Sequence, residues 1–114
     1  MNFHIAVSTT ASSAWALISV SGPITVNTAH QLRERLQMLA GSAARIVLDL
    51  SEVDSFDVAG VAVVTASARS ADRVGGWLRV VVPADDVGLV LSAANTREPL
   101  DLYDSLESAT AGLD

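Results

Sequence analysis

The spacing of apolar residues predicts one α/β domain, a mixed sheet of four to five strands with about four helices lying mostly on one face. Two observations predict it. Hydrophobicity alternates with period two over the first twenty residues, then switches repeatedly between short apolar runs and helical spacing. Gly, Pro, Asn and Ser stand at the points of change, and no linker, repeat or charge block interrupts the 114 residues. A chain of that length buries one core and not two, so residues 1–114 are expected to form a single domain.

Residues 3–10 (FHIAVSTT) set Phe3, Ile5 and Val7 against His4 and Ala6, the pattern of a half-buried strand. A turn at 11–13 (ASS) leads into 14–22 (AWALISVSG), a second strand that could form a hairpin with the first. Its inward residues are Trp15, Leu17 or Ile18, and Val20, and Gly22-Pro23 is expected to end it. From Asn27 the period becomes helical, with Ala29, Leu32, Leu36 and Leu39 on one side and His30, Arg33, Glu34 and Gln37 on the other. Asn27 is a candidate N-cap, because its side-chain oxygen can accept a first-turn N–H, and Gly41 is a candidate stop.

Residues 45–50 (RIVLDL) form a short, almost continuous apolar run, the mark of a strand covered on both faces. Residues 58–74 read as a helix with Val61, Val64, Ala68 and Ala71 toward the core and Val58, Ala62, Thr65, Arg69 and Asp72 opposite. Gly75-Gly76 ends it, and 77–83 (WLRVVVP) is another buried strand. A short helix over 84–95 follows, with Asp85 and Asp86 where the helix dipole favours negative charge and Asn95 at its end. Residues 100–103 (LDLY) are a last strand, and 104–113 a last helix carrying Leu106, Ala109 and Leu113. Strands joined through helices need parallel neighbours and right-handed crossovers, with an antiparallel pair at the N-terminal end.

Composition excludes several functions. Half the residues are apolar and only 4% aromatic, so Val, Leu, Ile and Ala must fill the core. A formal charge of −6 opposes binding to nucleic acid or to an anionic membrane surface. Without cysteine there is no disulfide, thiolate nucleophile or thiol switch, which fits the cytoplasm. The start, MNFHIAVSTT, lacks a basic segment followed by a long apolar one, so no signal peptide is expected, and no apolar run approaches a membrane span. All seven basic residues are Arg, a bias that points to a GC-rich bacterial genome.

The central stretch VLDLSEVDSFDVAGVAVV contains DSFDVAG (54–60), a loop that presents Val58 at the start of a helix. With the tail LYDSLESA, Gly22 and Gly75-Gly76, and across nearly the whole chain, it resembles the STAS domain family. That family includes the anti-sigma-factor antagonists and relatives in anion transporters and stressosomes. The resemblance implies the predicted fold and a protein-binding regulatory role. In the antagonists the loop typically reads Asp-Ser-Ser/Thr-Gly, and its first hydroxyl residue is phosphorylated by the anti-sigma factor, itself a kinase. Asp57 and Gly60 match that pattern, whereas Val58 and Ala59 stand in the two hydroxyl positions. Thr25, in GPIT, stands where the family often has an acidic residue. A phosphate adds about −1.5 to −2 charge at pH 7, and valine cannot accept one, so phosphorylation is not expected at Val58.

The resemblance implies a partner face of Asp57, Val58, Ala59, Gly60, Ala62 and Thr65 with Thr25 and Asn27 from the earlier loop. The partner would be an anti-sigma factor or a related protein kinase, and a homodimer stays open. The alternatives are a STAS subunit of a transporter or stress-sensing scaffold, or a small-molecule sensor with a pocket between sheet and helices. Plainer roles stand beside these. Asp57 suits an N-cap, worth on the order of 1 kcal/mol. Ser55 is the one weak alternative acceptor, but it precedes Asp57 in the segment leaving the strand. His4 and His30 fall on polar sides of their elements, and Asp54–Asp57 and Asp85–Asp86 have cap or loop roles. No enzyme, metal site or cofactor is expected, and no G-x-x-x-x-G-K-[ST] phosphate loop is present.

Overall fold

A computed structural model of the chain describes residues 3–9, 15–40, 45–82 and 100–113. The elements run β1 (His4–Thr9), β2 (Ala16–Ile24), α1 (Ala29–Ala40), β3 (Arg45–Phe56), α2 (Val58–Arg73), β4 (Trp77–Val81), β5 (Asp101–Tyr103) and α3 (Leu106–Thr110). The sheet has five strands in the order β1-β2-β3-β4-β5. β1 pairs antiparallel with β2, and every other neighbour is parallel.

The first half of β3 and most of β4 read as nearly continuous apolar runs because both sides of the sheet are covered there. On one face α1 and α2 pack on each other and on Ile18, Val20, Ile24, Ile46, Leu48, Leu50, Leu78 and Val80. Ala29, Leu32 and Leu36 of α1 are buried there, with Leu39 at the margin. From α2 the buried residues are Gly60, Val63, Val64 and Ala71, with Val61 and Ala68 half-buried; Val63 lies outside the predicted stripe. α3 packs on the opposite face, where Ala109 meets Val47 and Val81.

Several boundaries differ from expectation. Gly22-Pro23 does not end β2, which continues to Ile24 with Ile18 rather than Leu17 facing α1 and α2. Gly22 takes φ +87°, open to glycine, and beyond Ser21 the described part of β2 has a neighbour only in β3, a setting that tolerates proline. β3 runs on to Phe56, so Asp54 and Ser55 belong to a strand and not to a loop. Its pairing with β2 shifts register between Ser19 and Ser21 and again between Gly22 and Pro23. Such bulges bend a strand and re-aim its end, here at the junction with α2.

Asn27 does not cap α1. It sits in a turn closed by Thr28 and Ala29 N–H groups donating to the Thr25 carbonyl, at 3.0 and 2.8 Å. Val7, expected inside, is exposed at the sheet edge, and Leu106 is exposed on α3. The turn at 11–13, Gly41 and the helix of 84–95, with Asp85, Asp86 and Asn95, lie outside the described residues.

Candidate functional site

One residue, Asp57, connects β3 to α2, and the site is built around it. Its backbone is extended, φ −120° and ψ −173°, as an N-cap requires. Oδ1 accepts from Ala59 N at 3.0 Å and from Gly60 N at 3.4 Å. Oδ2 accepts from Val26 N at 3.2 Å, 31 residues away in the chain. The Asp57 N–H in turn donates to the Ile24 carbonyl at 3.2 Å. The carboxylate therefore does two things. It satisfies first-turn donors of α2, and it fastens the β2–α1 turn to that helix start.

The turn itself is tied by hydroxyls. Thr28 Oγ1 accepts from Thr25 N at 2.9 Å and donates to the Pro23 carbonyl at 2.8 Å, while Thr25 Oγ1 accepts from Asn27 N at 3.2 Å. These bonds hold residues 25–28 in a compact shape beside α2.

Gly60 explains the closeness of the two parts. A methyl group at that position would lie 2.8 Å from Ile24 Cγ2 and 2.9 Å from the Phe56 ring. Only glycine lets the first turn of α2 sit on the ends of β2 and β3. Gly60 is buried, so it lies beneath the expected contact surface and shapes that surface from below. Ala59 is half-buried against the core and contributes at its margin.

What faces outward is apolar. Val58 is 82% exposed at the first position of α2, and Val26 is 73% exposed on the fastened turn. Ala62 is exposed one turn beyond Val58, Thr65 is half-exposed, and Asn27 is exposed beside Thr25. The structure thus brings together Thr25, Asn27, Asp57, Val58 and Ala62. Thr65 is two turns along the helix and lines a separate recess of about 380 Å³ between α2 and β4–β5. Val26 was missed from the sequence. The signal was there, a valine flanked by Thr25 and Asn27 in a turn with no helical or strand partner in phase.

At the helix start Val58 and Ala59 carry no hydroxyl, carboxylate, amine or imidazole. Ser55 is an exposed residue of β3, two positions before the cap and in register with Pro23. His4 and His30 are exposed on β1 and α1, and among the described residues no group of three His, Cys, Asp or Glu could hold a metal ion.

Comparison with known proteins agrees with this architecture. The family profile STAS_2, described as "Mlab, STAS domain", matches residues 7–103. A Thermotoga neapolitana protein named as an anti-sigma factor antagonist TM1081 homolog is 34% identical over 65 residues, 57% of this chain and 58% of that one. The chain therefore matches about 58% of the length of that curated relative. The crystal structure of Thermotoga maritima TM1081, described as that of an anti-sigma factor antagonist, superposes with TM-score 0.79 at 23% identity over 95% of this chain and 91% of that one. An anti-sigma factor antagonist from Mycobacterium paratuberculosis gives 0.76 at 21% identity over 98% and 94%. With its profile match spanning most of the sequence and a five-stranded mixed sheet carrying α2 on a one-residue junction, the chain belongs to the STAS domain family.

Proposed function

We propose that this STAS domain is a non-catalytic regulator, antagonist-like, that binds an anti-sigma factor or related kinase through the start of α2 and the turn fastened to it. The observation that carries this reading is the pair of exposed valines, Val58 and Val26, on backbone that Asp57 locks in place. Fully burying one valine side chain is worth about 1.5–3 kcal/mol, and a preordered surface spends little of that on ordering itself. The similar proteins above, described as anti-sigma factor antagonists, support the class of partner.

The contact comprises Val58, Val26, Ala62, Thr25 and Asn27, with Asp57 and Gly60 positioning it and Ala59 and Thr65 at its borders. The protein acts in the cytoplasm; no described helix is long and apolar enough to cross a membrane. Because neither Val58 nor Ala59 carries a hydroxyl, its docking is insensitive to a kinase acting at the helix start. Output is then set by abundance or competition.

A pull-down from the native organism with wild type and Val58→Asp tests the surface. The carboxylate brings part of a phosphate's charge to an exposed position, so the fold is expected to persist while partner recovery falls at least tenfold, about 1.4 kcal/mol. Equal recovery of the same partners by both proteins refutes the assignment. Incubation with ATP and the cognate kinase, followed by mass spectrometry, is expected to leave Ser55 and its neighbours unmodified; stoichiometric phosphate there ends the claim of insensitivity.

A further inference from the structure

Among the described residues, β1 has backbone hydrogen-bonding capacity on its outer side that no other strand takes up. Among the described residues it pairs with β2 alone, over six residue pairs without a register shift. On its other side no described strand pairs with its row of backbone N–H and C=O groups. Natural edge strands are blunted by shortness, charge, proline or bulges. The opposite edge shows this: β5 has three residues, starts at Asp101 and is followed by Asp104. β1, HIAVST, has six residues and contains no proline, glycine, Asp, Glu or Arg.

We propose that two copies of this chain join antiparallel along β1, making one continuous sheet across both molecules. The register follows from the side chains. Ile5 and Val7 pair with Val20 and Ile18 of the buried α1–α2 face, so they stand on that face of the sheet. Residues directly opposite in an antiparallel pair share a face. A two-fold axis through Ala6 satisfies this. It sets Ile5 against the second copy's Val7, Ala6 against Ala6 and His4 against Ser8. The strip of Phe3 and Ile5, half-buried against the core, and Val7, 38% exposed, then continues across the joint.

Charge selects between the two edges, and the self-complementary order of side chains in β1 selects a second copy as its occupant. Each copy carries −6, so copies repel in general and approach best where neither presents an acid. β1 offers such a place, whereas self-pairing along β5 sets Asp101 and Asp104 of both copies close together. A six-residue ladder cannot by itself bury the roughly 1,200–2,000 Å² of a stable interface, so the dimer is reversible. The two-fold axis points the C-terminal ends of β2 and β3 in opposite directions in the two copies. Both Val58 surfaces stay accessible, and the dimer holds whether or not the partner reading above is correct.

Sedimentation equilibrium from about 1 µM to about 1 mM, the range of weak association, tests the proposal. Wild type is expected to shift from 11.8 kDa toward twice that mass as concentration rises. Val7→Lys and Ala6→Lys, on opposite faces of the strand, are each expected to weaken the shift at least tenfold with thermal unfolding unchanged. Because one substitution lies on each face, local packing damage does not explain a loss seen with both. A wild-type protein that stays monomeric throughout, or a dimer that survives both substitutions, overturns the proposal.

Discussion

The two faces of the sheet are built on different principles. The buried side chains of the face under α1 and α2 are all aliphatic, and Ile18, Ile24, Leu48, Leu50, Val64 and Val80 among them are fully buried. The face under α3 is half-open and holds both tryptophans and the one tyrosine of the chain, beside Leu17, Val47, Val81 and Leu113. There Arg79 substitutes for a second layer of aliphatic packing. Its guanidinium lies 4.5 Å from the Trp77 ring centre and 5.9 Å from that of Tyr103, donates to the Ala109 carbonyl at 3.0 Å and faces Asp101 at 3.9 Å. One cation thus joins β4, β5 and α3. The difference teaches that α3, only five residues long, buries little apolar area beyond Ala109 and is secured as well by the Arg79 bond to its backbone, from a guanidinium that Trp77 and Tyr103 hold by cation–π contact.

The largest break in this comparison comes from the aliphatic side. Leu48→Ala removes a side chain with no exposed surface and is expected to destabilise by about 2–5 kcal/mol, read from the denaturant midpoint at constant m. Arg79→Ala should cost less, on the order of 1–2 kcal/mol, because its partners sit near water. It should also alter the near-UV circular dichroism of Trp77, which Leu48→Ala should do far less short of unfolding. If Arg79→Ala equals Leu48→Ala in cost, the α3 face is a true second core and the contrast fails.

The smallest effect is at high pH. Burial pushes the Tyr103 hydroxyl above its usual 10.0, helped by the bond it donates to Asp101 at 3.0 Å and by that carboxylate's charge, with Arg79 opposing. The folded state therefore holds this proton more tightly than the unfolded chain does. Its contribution is complete below about pH 10 and is lost as pH rises through the folded value. Tyr103→Phe should accordingly lose less stability between pH 9 and 11 than wild type, to be read from urea midpoints across that range. An identical slope in both proteins would remove Tyr103 from the account.

Local chemistry made much of this legible. The 3.6-residue period of Ala29, Leu32 and Leu36 marked α1 and its inner side, and all three are buried. Asp57 before an apolar helix announced a cap, and the cap is present. Gly75-Gly76 announced a stop: Gly75 takes φ +79°, and Gly76 N donates to the Ala71 carbonyl at 2.8 Å in the paired closure that glycine permits. Gly22-Pro23 misled for the same reason that these succeeded. Residue preference describes a strand end correctly only when no neighbour holds the chain extended, and β3 holds β2 as far as Ile24.

By itself, then, the order of residues determined, among the described residues, the type of each element and where the α2 cap falls, though not where β2 and β3 end, since type and cap depend on neighbours a few positions away. It also determined that the helix start has no phosphorylatable side chain. Tertiary structure alone decided that Val26 stands beside α2, that Gly60 is a buried spacer and that β3 carries two register shifts. Each of these depends on segments distant in the chain meeting across a sheet, with Val26 N donating to the Asp57 carboxylate 31 residues on and Ile24 lying where a Cβ at Gly60 would fall, and nothing within a short window of sequence encodes such a meeting.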